Sequence, residues 1–186
     1  MRWQPEGDAM TDDEFIMTLA EKAGLGRAEI GILGEAQLAE AEARIGVVPP
    51  MLLLKLYRAI SNGGFGPMRG LMGLGGGATD RAGYTADRLH QLYADPDDGN
   101  PARDWPVGLL PICEDGQGSY ICVDCFDESL HLWSPEGWDR SQPPQSAITP
   151  LAEDLRGWLG AWAESHCPAL AHLHEVPAGS LCLSAR

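Results

Sequence analysis

Nine of the 21 positions between residues 63 and 83 are glycine. Regular helices and strands do not tolerate that density, because each glycine brings backbone entropy that folding must remove. This stretch is therefore expected to be a loop or a short irregular strand with freedom to move. It also separates two unlike parts of the chain. Before it, apolar residues recur at helical spacing; after it come short apolar runs broken by turn residues. That order predicts an α+β fold with a mainly antiparallel sheet and helices flanking it.

The helical part carries its own start and stop signals. Thr11-Asp12-Asp13-Glu14 is a capping-box pattern, Phe15, Ile16, Leu19, Ala20 and Ala23 follow at helical spacing, and Gly24-Leu25-Gly26 ends the run. A second helix is expected from Gly34 to Ile45, with Leu38, Ala41 and Ile45 on one face and Glu35, Glu40 and Glu42 on the other. Pro49-Pro50 suits the first turn of a third, whose stripe is Leu53, Leu56, Tyr57 and Ile60 and whose stop is Asn62-Gly63-Gly64. A short fourth helix is expected over 84–94, then a turn-rich loop over 95–101.

Strands are expected over 107–112, 119–126 and 129–133, joined by turns at 114–118 and 127–128, with Pro135-Glu136-Gly137 as a further break. Thr149-Pro150 reads as the cap of a last helix bearing Leu151, Leu155, Trp158, Leu159 and Trp162. Residues 1–10 read as a loose lead-in, 11–166 as one domain and 167–186 as a weakly specified tail. A chain of 186 residues buries about 70% of its unfolded surface, so one core suffices without staples.

Charge narrows the partners. With 27 acidic against 13 basic residues the net charge is -14, which repels nucleic acid and anionic lipid and favours basic partners. No apolar stretch approaches the ~20 residues that span a bilayer, and no basic start precedes an apolar run, so the sequence predicts a cytoplasmic protein. Cys113, Cys122, Cys125, Cys167 and Cys182 form an odd set, expected to stay reduced.

Several motifs invite a chemical reading and lose to a plainer one. Cys122-Val123-Asp124-Cys125 has CxxC spacing, but no second ligand pair accompanies it and it sits in an expected strand, so no metal is expected there. Gly73-Leu74-Gly75-Gly76-Gly77-Ala78 loosely matches a dinucleotide fingerprint without the strand and helix that one needs, so no cofactor is expected. His166, His172 and His174 lie near Cys167 and Glu175, past the last core helix, where no rigid shell supports catalysis. His90 and His131 are isolated. No catalytic residue is assigned.

The acidic charge is concentrated. From residue 95 to 139 there are eleven acidic residues and one basic one, Arg103, with Trp105, Tyr120, Phe126, Trp133 and Trp138 interleaved. Trp and Tyr dominate protein-binding hot spots, so Glu114, Asp115, Asp127, Glu128, Trp133 and Trp138 are the candidate partner-binding residues.

The order of the pieces resembles the SUKH superfamily. The resemblance is carried by a Glu-rich helix, Gly46-x-x-Pro49 leading into 53–60, and Ser61-Asn62-Gly63-Gly64. Beyond these come Leu109-Leu110-Pro111-Ile112, the run Asp115-Gly116-x-Gly118-Ser119-Tyr120-Ile121-Cys122-Val123-Asp124 and a closing Trp helix, so that it spans roughly 34–163. It implies a Smi/Knr-like fold with a curved sheet, no enzymatic activity, and often neutralisation of a cognate toxin. In that case the acidic surface would block a basic groove, such as that of a nuclease toxin. The alternative is an adaptor or scaffold of the fungal cell-wall-regulator kind.

Overall fold

A computed structural model describes residues 10–24, 31–95 and 104–165. The capping box at Thr11 forms: the Thr11 hydroxyl accepts the Glu14 N–H at 3.3 Å, and the Glu14 carboxylate accepts the Thr11 N–H at 2.9 Å. It opens α1 (Asp12–Ala23), which Gly24 ends in the left-handed region at φ 61°. Helix α2 (Glu35–Ile45) starts where the Gln37 side chain accepts the Gly34 N–H at 2.9 Å, and Gly46 closes it at φ 80°. Pro50 sits at the N-cap of α3 (Met51–Ala59), which buries Leu52, Leu53, Leu54, Leu56 and Tyr57. Asp12 ties α1 to its neighbours, accepting from Lys55 at 2.6 Å and from Arg156.

The glycine-rich stretch is irregular backbone, as expected, but it is packed into the core rather than standing apart as a loose loop. Phe65, Leu71, Met72 and Leu74 are buried within it. Its backbone is bonded at Gly64 N–H to Leu71 O and at Met72 N–H to Ile112 O, both 2.7 Å. The Asn62 side chain brackets Leu74, donating to its carbonyl at 2.6 Å and accepting its N–H at 2.9 Å. A Cβ added at Gly73 would stand 2.2 Å from Asn62 O. Here glycine provides close approach of backbones rather than motion.

Beyond it lies α4 (Ala86–Ala94), whose Asp87 is fully buried, paired with Arg44 of α2 at 2.5 Å and accepting the Gly75 N–H at 3.0 Å. The sheet follows in the order β1 (Leu109–Glu114), β2 (Tyr120–Asp124), β3 (Leu130–Trp133), β4 (Ile148–Ala152), every pair antiparallel. Leu71 adds an isolated bridge to Cys113. Last comes α5 (Leu155–Glu164).

Among the boundaries that differ from expectation, two change what a residue does. Strand β1 runs two residues further, so Glu114 ends a strand instead of opening a turn. Residues 148–152 form β4 rather than a helix start: β-branched Ile148 and Thr149 favour extended backbone, and Pro150 is tolerated on an edge strand. Asp154 caps α5 instead, accepting the Gly157 N–H at 2.6 Å.

Strand alternation divides the apolar residues between two clusters. Leu110, Ile112, Ile121, Val123 and Leu130 join the helices in the main core. Leu109, Cys122 and Trp133 face the other way and meet Trp105 in a smaller cluster. A register shift between Pro111 and Cys113 turns Cys113 to the side of Ile112. The expected loop over 95–101, the lead-in and the tail fall largely or wholly outside the described residues.

Candidate protein-docking interface

Antiparallel pairing sets which acidic residues can act together. The β1–β2 turn (115–119) and the β3–β4 connection (134–147) lie at one end of the sheet, the β2–β3 turn (125–129) at the other. A five-residue strand separates the ends by roughly 16 Å at ~3.3 Å per residue. The six candidates therefore split: Glu114, Asp115, Trp133 and Trp138 belong to the first end, Asp127 and Glu128 to the second.

Two of the six are not surface residues. Glu114 is 4% exposed; its carboxylate accepts the Arg81 N–H at 3.1 Å and faces the Arg69 and Arg81 side chains at 3.5 and 3.7 Å. Trp133 is 1% exposed, packed edge-on against Trp105 and Trp138 with ring centroids 5.2 Å away in each case. Its place in β3 points it into the smaller cluster, which removes it as an interface anchor. Trp138 is half-buried and donates its indole N–H to Gln142 O at 3.2 Å. The half-buried Asp115 accepts the Gln117 and Ser119 N–H groups at 2.7 and 3.0 Å, which makes it the builder of its own turn.

The second end is different. Asp127 is exposed, and the Ser129 hydroxyl and N–H hold its carboxyl below the usual range. Glu128 stands at φ 63°, its N–H bonded to Asp124 O at 2.9 Å. Between them and Asp124 stands Phe126, 69% exposed. Val107, 71% exposed, precedes Gly108, whose carbonyl accepts the Cys125 N–H at 2.9 Å. Phe126, Val107 and Asp124 are not among the six candidates. The signal was a large aromatic inside an acidic turn, masked because 119–126 reads as one strand whereas β2 ends at Asp124.

Groups with chemical potential elsewhere are placed as follows. Ser129 Oγ lies 3.0 Å from His131 Nε2, but the Asp127 carboxylate bonds Ser129 rather than the imidazole, so a nucleophile–base–acid relay is not assembled. Burial pushes the Cys113 and Cys125 thiols up to about 12 and raises Cys122 as well, which keeps all three in the unreactive thiol form. Among the described residues no group of three or more His, Cys, Asp or Glu side chains is placed to hold a metal. Gly73-to-Ala78 packs against Asn62 and opens no helix. His166, Cys167, His172, His174 and Glu175 lie outside the described residues. A shallow hollow beside α4 is lined by Arg44, Tyr84, Arg88, Gln91, Leu92 and Asp95. No helix among the described residues is long and apolar enough to cross a membrane.

A family model described as the SMI1 / KNR4 family (SUKH-1) matches residues 33–160. The chain belongs to this family. The SUKH-1 match begins just before α2 and ends inside α5, so α1 lies outside it even though Asp12 is clamped by Lys55 and Arg156 within it. No curated protein matches the chain. A solved structure titled "Crystal structure of protein from Pseudomonas syringae pv. tomato" is similar at 23% identity and a TM-score of 0.51, covering 82% of this chain and 99% of that one. That likeness supports the α+β fold alone.

Proposed function

We propose that this SUKH-1 domain acts by binding another protein, without catalysis of its own, and that its partner is a cognate toxin with a basic surface. The observation that carries the reading is the second end of the sheet, where Asp124, Asp127 and Glu128, which pair with no Lys or Arg among the described residues, lie in or beside the turn that exposes the Phe126 ring. Such charge draws in a basic partner and raises its association rate, while the ring supplies apolar contact. A nuclease-type toxin, whose substrate groove must be basic, is the partner class this charge suits best. The protein would act in the cytoplasm, before the toxin reaches its substrate.

Pull-down from the source cell followed by growth rescue tests the reading. The captured protein, or the toxin encoded beside this gene, should arrest growth when expressed alone, and co-expression of this chain should restore growth. A captured partner that is harmless when expressed alone would favour the adaptor or scaffold role instead.

A further inference from the structure

We infer that the end of the sheet built from residues 107–108 and 124–131 is the docking epitope, with Phe126 as the anchor that enters an apolar recess on a basic protein face. The inference rests on the protein-binding reading above and names its surface. Val107 and Phe126 are the two most exposed large apolar side chains among the described residues, at 71% and 69%. A single exposed apolar side chain is ordinary and calls for no explanation. These two flank one glycine. Gly108 stands at φ +86°, and a Cβ added there would lie 2.6 Å from Phe126 Cε2. The ring therefore rests on bare backbone with one side and leaves the other to solvent.

The ring's support is already formed. The Phe126 N–H bonds Asp124 Oδ1 at 2.8 Å, the Ser129 N–H bonds Asp127 Oδ1 at 2.9 Å, and the Cys125 N–H reaches Gly108 O. A turn backbone formed before contact loses little freedom on binding, which is where preorganised surfaces gain affinity. Charge completes the specification of the partner. Among the described residues Asp12, Glu35, Glu40, Asp87 and Glu114 have a Lys or Arg within ion-pair distance and most other carboxylates of this acidic chain do not, so what sets this end apart is the meeting of such charge with two exposed apolar side chains. Among the described residues Asp124, Asp127 and Glu128 pair with no Lys or Arg, and the His131 ring adds only a lesser pull on the Asp127 carboxyl. A basic protein surface with an apolar recess supplies what this end lacks, a cation for each carboxylate and a cover for the ring.

The test uses the full chain, labelled with ¹⁵N and titrated in low salt with two synthetic peptides of equal charge, one of lysine and leucine and one of lysine with glycine. Shifts should concentrate at residues 107–108 and 124–131, and the leucine peptide should bind more tightly. Phe126→Ser should erase most of that advantage, on the order of tenfold in affinity for one anchor. Its melting temperature should stay that of the parent, because the ring is mostly exposed. Shifts centred elsewhere, such as the Arg88 hollow, or undiminished leucine preference in Phe126→Ser, would overturn the epitope. Growth rescue separates the two readings. Full rescue by Phe126→Ser would sink the epitope and leave toxin neutralisation standing, whereas peptide binding at this end without rescue of any toxin would do the reverse.

Discussion

Glu114 and Glu128 look alike in the sequence, each in an acidic pair before a turn, yet the fold gives them opposite roles. Glu114 is buried against Arg69 and Arg81, so Glu114→Lys removes the one carboxylate that, among the described residues, pairs with those two guanidinium groups and adds a third cation. The expected loss is about 2 kcal/mol or more, from placing an unpaired ammonium at a buried site and losing the carboxylate that accepts the Arg81 N–H, read from urea unfolding. Glu128→Lys should leave stability within about 0.5 kcal/mol, as surface substitutions do. His90 carries a pH dependence. It is 3% exposed, neither ring nitrogen has a hydrogen-bond partner, and burial lowers its pKa from 6.5 to about 4 against the opposing pull of Asp87. Because the folded value lies below the unfolded one, protons bind the unfolded chain more tightly. Stability is therefore full above pH 6.5 and falls as pH drops toward 4. By pH 5 the loss from this group is about 1–2 kcal/mol. His90→Leu should flatten the unfolding free energy between pH 7 and 5 relative to the parent; an identical slope in both would remove His90 as the cause.

At the scale of elements, end signals and packing decide different things. Helices α1 and α2 are legible because Thr11, Gly24 and Gly46 act within one turn of the chain. The glycine-rich stretch is not legible in this way. Its composition resembles that of a free loop, and only the approach of Asn62, Leu71 and Ile112 reveals a packed segment that adds a bridge to β1. Gly73→Ala tests this directly. A free loop would accept the methyl at little cost, whereas a Cβ 2.2 Å from Asn62 O must displace backbone. The expected loss is about 1–3 kcal/mol, the cost of overpacking, in chemical denaturation with an unchanged slope. Strand β4 was missed for a related reason: Thr149-Pro150 offers a plausible cap, and the competing cap at Asp154 differs only in what the chain before it pairs with.

For the whole molecule, we propose that residues 11–166 unfold as one unit, because both apolar clusters are built on the same four strands. Far-UV dichroism, which follows the helices, and tryptophan fluorescence, to which Trp105, Trp133 and Trp138 of the smaller cluster contribute beside Trp158 and Trp162 of α5, should then give coincident transitions. Separate midpoints would mean that the smaller cluster melts on its own. The sequence by itself determined the α+β class, four of the five helices to within about two residues, three of the four strands, and the SUKH family to which the chain belongs. The class and the elements rest on periodicity, caps and turns, which act over a few residues, while the family rests on the resemblance of motifs such as Ser61-Asn62-Gly63-Gly64 and their order. Tertiary structure decided which acidic residues are surface and which are core. Strand order sends Asp115 and Asp127 to opposite ends, Arg69 and Arg81 from the glycine-rich stretch cover Glu114, and strand alternation buries Trp133 while the turn leaves Phe126 in water. Burial depends on what the rest of the chain brings to a residue, and that is set by pairings between segments far apart in sequence.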